Sequence, residues 1–219
     1  MKNCIRSGLY LFVFTCFSWA HAGSYDDYFA AIGSDNAVAV TMLFQRGFDP
    51  NTVNPQGQRG LILALRGSAL KVVDVLLAQP TTDINTRTAQ DENALMLAAL
   101  RGFTDVCRKL IALDADVNKP GWTPLHYAAT GGHNDIMQLL LDNHAYIDAA
   151  SPNGSTPLMM AAMYGTAASV KLLLDAGADV DLKNDLGLTA LDFARKKQRT
   201  DAVDLIAAFI RNRQPKGVW

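Results

Sequence analysis

Cysteine is scarce in this chain. Of three in 219 residues, Cys4 and Cys16 lie in or beside the first apolar stretch and Cys107 stands alone beyond it. A single cysteine cannot form an internal disulfide, and no CxxC or comparable metal spacing exists. An excess of either charge is also lacking. The formal net charge of −1 argues against the strongly basic balance that nucleic-acid binding needs. Beyond residue 19 no apolar run approaches the ~20 residues that a bilayer span takes. The motifs GxGxxG, GxxxxGK[ST], GxSxG and HExxH are absent, so an enzyme reading has no residues to rest on. Hydrophobic residues, by contrast, make up 49%, enough for a full core and against wholesale disorder.

The N-terminus reads as a separate object. Lys2 and Arg6 precede an almost unbroken apolar run from Gly8 to Trp19, and Ala20-His21-Ala22 supplies a small-x-small cleavage pattern. A signal peptide is expected over 1–22, cut between Ala22 and Gly23, with the mature protein periplasmic or secreted and not inserted in the membrane. Val13-Phe14-Thr15 lacks the small residue expected before a lipoprotein cysteine at Cys16. Cleavage leaves 18 basic against 21 acidic residues, a net charge of −3, with Cys107 as the one remaining cysteine. Shedding cysteines suits an oxidising compartment.

The rest of the chain repeats. Thr123-Pro124-Leu125-His126-Tyr127-Ala128-Ala129 recurs as Thr156-Pro157-Leu158-Met159-Met160-Ala161-Ala162. Degraded copies begin at Asn93 and Thr189, and the weakest runs from Arg59 to Leu65. A second signature keeps one phase: Asp83-Ile84-Asn85, Asp116-Val117-Asn118, Tyr146-Ile147-Asp148 and Asp179-Val180-Asp181. Phe48-Asp49-Pro50-Asn51 fits that phase too, which implies a hidden first copy with Tyr28 in the leucine slot. Six units follow, approximately 24–54, 55–88, 89–118, 119–150, 151–183 and 184–214, and 215–219 is a tail.

Each motif has a physical reason. Threonine caps the orphan amides of a helix and proline suits its first position. Leu125, Ala128 and Ala129 share one face, and the alanines let two helices approach closely. The second helix carries large apolar residues, such as Ile136, Leu139 and Leu140, or Val170, Leu172, Leu173 and Leu174. Its end calls for a left-handed residue, filled by Gly47 and Gly177 and, in two copies, by Asp114 and His144. Three departures stand out. The step into the fourth unit is short by three residues, so the finger at Lys119-Pro120-Gly121 should be stunted. Pro80-Thr81-Thr82 lengthens the loop before the third unit. Arg59-Gly60 replaces Thr-Pro, which should make the second unit the softest of the interior ones.

These motifs resemble the ankyrin-repeat family over nearly all of the chain after residue 22. The resemblance implies an all-α repeat solenoid of helix–turn–helix pairs joined by β-hairpin or loop fingers, with divergent caps. It also implies structural roles for His126 and His133. Cys107 reads as a small core residue. No cofactor or metal is expected.

In this family partners meet the finger tips and the inner ends of the first helices. Those slots hold Gln58, Glu92, Trp122, Ser155 and Leu188, and Arg66, Leu100, Arg101, Thr130, Met163, Tyr164, Lys196 and Lys197. Trp122, Met163, Tyr164 and Leu188 are unusually large and apolar for a surface, and such residues dominate interface hot spots. Trp122 could instead fold over the stunted finger. Arg66 and Arg101 would flank the patch with positive charge, suiting an acidic, partly apolar protein surface. The resemblance to small exported bacterial ankyrin-repeat proteins implies a monomeric, non-catalytic periplasmic adaptor that stabilises or regulates one protein, such as an oxidative-defence enzyme. The alternatives are an immunity-type inhibitor of a secreted toxin and an exported host-directed effector.

Overall fold

A computed structural model of the protein describes residues 23–213. The expected leader over 1–22 and the tail over 215–219 lie outside the described residues. A first compact unit runs to Asp83 and holds α1 (23–33), α2 (Ala37–Gln45), α3 (Gly60–Gly67) and α4 (Leu70–Leu77). A second begins at Ile84 and holds α5 (Ala94–Arg101), α6 (Thr104–Ala112), α7 (Pro124–Gly131), α8 (Asn134–Asp142), α9 (Pro157–Tyr164), α10 (Ala167–Asp175), α11 (Ala190–Lys196) and α12 (Thr200–Arg213). Each of the six sequence segments contains one helix pair. In the second unit α5, α7, α9 and α11 pack side by side as one row, and α6, α8, α10 and α12 as another. This is the all-α repeat class expected from the sequence.

The core follows the motif. Leu125, Ala128 and Ala129 are fully buried, as are Leu158, Ala161 and Ala162. Tyr28 is equally buried in the leucine slot of the first copy. On the second helices the buried stripe runs through Ile136, Met137 and Leu140, and through Val170, Leu173 and Leu174, whereas Leu139 and Leu172 are only half-buried. Asp114 and His144 do adopt the left-handed conformation, at φ 61° and 63°. The longer loop after α4 has no such residue. Thr82 Oγ1 instead donates to the Leu76 carbonyl at 2.7 Å, so that a side chain joins the Gln79 N–H on this carbonyl at the helix end. Gly165 is needed for space: its backbone is extended, and a Cβ there would lie 2.5 Å from the Ala129 carbonyl oxygen.

Of the two finger forms expected, β-hairpin or loop, the structure has loops. Among the described residues only isolated antiparallel bridges occur, Val53 with Arg59 and Arg87 with Asn93. Each full finger is a five-residue loop closed by one backbone bond, from Asn54 N–H to Gln58, Thr88 to Glu92, Ser151 to Ser155 and Asn184 to Leu188. The side chain of the first residue accepts N–H groups inside its own loop. One closing pair is too short to propagate a ladder. The start of the second repeat has Arg59-Gly60 in place of Thr-Pro. Arg59 gives α3 no side-chain cap, but Gly60 is buried beneath Tyr28, whose hydroxyl donates to the Pro50 carbonyl at 2.9 Å. Aromatic packing lies where the cap is missing at this helix start.

The finger of the fourth repeat is stunted as expected, and a lysine fills the gap. The Lys119 side chain is 1% exposed, and its Nζ donates to the carbonyls of Pro120 and Trp122, both at 3.0 Å, and pairs with Asp91 at 2.6 Å. A buried ammonium is tolerable only with its donors engaged, and here three acceptors engage them.

A ladder of Asx side chains ties successive repeats. Asn51 accepts the Asp83 N–H at 2.8 Å and donates to Thr81; Asn85 and Asn118 do the same toward Asp116 with Asp114 and Tyr146 with His144. The fourth position is Asp148, which accepts from Asp179 N–H at 3.1 Å but has no amide to donate.

Candidate partner-binding site

The titratable groups inside the second unit are engaged structurally. At the start of α7, His126 is fully buried between two loops. Its Nδ1 accepts the Thr123 N–H at 3.2 Å, which leaves Nε2–H to donate to the Ser155 carbonyl at 2.9 Å. Burial pushes its pKa down to about 4, against a smaller opposing contribution from its backbone hydrogen bonds, so the ring stays neutral near pH 7. His133 Nε2 donates to the Leu100 carbonyl at 3.0 Å. Cys107 is fully buried and its thiol is pushed up to about 12 by burial, far from a reactive thiolate. Among the described residues no group of three or more His, Cys, Asp or Glu could hold a metal, and no helix is long and apolar enough to cross a membrane.

The surface offers something different. Trp122, Met163, Tyr164 and Leu188, drawn from the stunted finger, α9 and the last finger, line one groove of about 260 Å³. Tyr164 is 49% exposed, and the other three are half-buried. The rings of Trp122 and His126 form a T-shaped pair with centroids 5.2 Å apart, so Trp122 both packs inward and lines the groove. Met160 and Phe193 add to the floor, Leu186 (76% exposed) stands at its edge, and Lys196 adds a cation. Lys197 lies 5.2 Å from the centre of the Tyr164 ring.

The remaining candidates do not share this groove, apart from Ser155. That residue lines it but is 1% exposed; its carbonyl serves His126, so it supports the wall and presents almost no surface. Glu92 is half-buried and accepts from the Tyr127 hydroxyl at 3.0 Å. Thr130 Oγ1 donates back to the His126 carbonyl at 2.8 Å within α7. Leu100 and Arg101 end α5, with α7 between them and α9, and Arg101 sits 5.8 Å from the Phe103 ring. Arg66 is exposed in the last turn of α3, in the first unit. The cation at the groove is therefore Lys196, not Arg101. Sequence reasoning missed Met160, Phe193, Leu186 and the buried Lys119. Met160 and Met163 are three apart on one helix, a spacing that could have joined them. Nothing one-dimensional pointed to Lys119.

A family model described as "Ankyrin repeats (3 copies)" matches residues 81–151 and again 143–214, together more than half of the chain. The protein belongs to the ankyrin-repeat family. Such arrays are protein–protein interaction modules. The human Notch-regulated ankyrin repeat-containing protein is 31% identical over 98 residues, covering 42% of this chain and 86% of that protein. Human transient receptor potential cation channel subfamily A member 1 is 28% identical over 122 residues, or 53% of this chain. The ankyrin repeat and KH domain-containing protein mask of Drosophila melanogaster is 34% identical over 113 residues. The chain spans only 11% and 3% of these last two. Among solved structures, a chain from the complex of a Bdellovibrio bacteriovorus predatory endopeptidase with an immunity protein superposes with a TM-score of 0.72 at 29% identity. That match covers 83% of this chain and 97% of the other.

Proposed function

We propose that this ankyrin-repeat protein is exported to the periplasm through a cleaved leader and, as a monomer, binds one folded protein through the Trp122–Met163–Tyr164–Leu188 groove, regulating or stabilising it without chemistry of its own. One observation carries the reading: four side chains spread over 67 positions of sequence, each too apolar for a surface built only for solubility, share a single groove. The leader pattern and the lone Cys107 support export. The neutral, fully bonded His126 and the inert thiol support a non-catalytic role. A bound partner is stabilised by mass action, or blocked if the groove covers its working surface.

The second reading, an immunity-type inhibitor of a secreted toxin, is favoured by the likeness to a chain from the endopeptidase–immunity protein complex. Two measurements test these readings. N-terminal sequencing of the protein from the envelope fraction should begin at Gly23; a cytoplasmic protein retaining Met1 overturns export. A photo-crosslinking residue at Tyr164 should trap one partner that the same probe at exposed Lys171 does not. Equal trapping at both positions removes the groove from the account. If the trapped partner is an enzyme, loss of its activity on adding one equivalent favours inhibition, and longer persistence favours support.

A further inference from the structure

Building on the partner-binding reading above, we infer that the groove receives an exposed loop of the partner carrying a large apolar anchor residue beside a carboxylate, the anchor entering against Trp122 and Phe193 and the carboxylate meeting Lys196. Size is the first constraint. About 260 Å³ is room for one or two large side chains. The floor is apolar and partly methionine, a side chain that adapts to the shape of what it meets.

Charge is the second constraint. Among the described residues Lys196 forms no ion pair, although Arg195 pairs with Asp192 and Arg199 with Asp201 close by in sequence. The last repeat differs in balance from everything before it. Residues 184–213 hold six basic and four acidic side chains, whereas 23–183 hold eleven basic and seventeen acidic. Lys196 is the charged side chain in the groove lining, so the wall formed by α11 offers a cation there. A carboxylate near the anchor gains an unsatisfied partner there, while an ammonium or guanidinium would meet repulsion. A second copy of this chain is the chief rival occupant, since Tyr146 is exposed and lies two residues from Asp148.

The test is selection of disulfide-constrained random loops displayed on phage against the purified exported chain. Enriched loops should carry an aromatic, leucine or methionine residue within two positions of aspartate or glutamate. Binding of a synthetic winner should weaken about fivefold in Lys196→Gln and further in Lys196→Glu, with the difference shrinking as salt rises. Selection on Lys196→Glu should turn the flanking preference to lysine or arginine. Unchanged melting of Lys196→Gln guards against a folding artefact. Absence of enrichment, the same acidic loops from both proteins, or binding that survives Met163→Ala with Tyr164→Ala overturns the inference. Concentration-dependent dimers broken by Tyr146→Ser would assign the groove to a second copy and overturn it as well. A partner that crosslinks at Tyr164 while the loops show no acid preference would sink this inference alone and leave the partner-binding reading standing.

Discussion

The second and fourth repeats build the same turn from opposite materials. In the fourth, Thr123, Pro124 and His126 form a polar clasp that reaches into the next finger through the Ser155 carbonyl. In the second, Arg59 caps nothing with its side chain, and Gly60 at the start of α3 packs close against the hydroxyl end of Tyr28. What a helix start in this array requires is a filled and satisfied junction, and the Thr-Pro-Leu-His pattern is one way to supply it. The same two regions differ in their ladder. Asn85 at the end of the second repeat both accepts and donates, whereas Asp148 at the end of the fourth only accepts.

The largest effect should come from breaking the clasp with acid. Burial lowers the folded-state pKa of His126 to about 4, below the 6.5 of an unburied imidazole. Between those values the unfolded chain takes up a proton that the folded chain refuses. The stability held by the neutral ring is therefore complete above pH 6.5 and lost as pH falls through the window, by about 3 kcal/mol. The Tm of His126→Gln followed from pH 7 to 4 should show a shallower decline than that of the wild type; parallel curves would remove His126 from the acid response.

Next in size is the aromatic junction. Gly60→Ala drives a Cβ into the Tyr28 hydroxyl and should cost ~1–3 kcal/mol, the usual range for overpacking. Tyr28→Phe removes the nearest atom and should recover part of that loss, giving a coupling of at least ~0.5 kcal/mol in a double-mutant cycle. Additive losses in chemical denaturation would place the strain elsewhere. The smallest effect is a gain. Asp148→Asn restores the amide that the other three rungs use, here toward the Gly177 carbonyl, and should add ~1 kcal/mol at pH 7. Burial, with the Asp179 charge as a lesser cause, raises the pKa of Asp148, so its penalty is present at neutral pH and eases as pH falls through its raised pKa. A lower denaturation midpoint for the variant would show that the carboxylate does something asparagine cannot.

Much of this was legible in one dimension. The phase of the Asx signature placed Tyr28 in a core slot without any motif around it, and Tyr28 is fully buried. The left-handed ends at Asp114 and His144 were readable because each position obeys a backbone requirement within a few residues of itself. The stunted finger was readable as a count. Its consequence was not, because a missing three-residue stretch does not announce which side chain will fill the hole or where its donors will go. Glu92 and Ser155 sat in slots that other ankyrin arrays use for partners, and here those slots are taken by Tyr127 and His126.

Taken alone, the order of residues determined the repeat, its period, the helix pairs and the identity of the core, since capping, left-handed turns and apolar periodicity act over one or two helical turns. Only the tertiary structure decided that Trp122, Tyr164, Phe193 and Lys196 would meet, and that Arg101 would not join them. That meeting depends on the side-by-side packing of α7, α9 and α11 and on a finger shortened at Lys119, relations between segments that no local preference encodes.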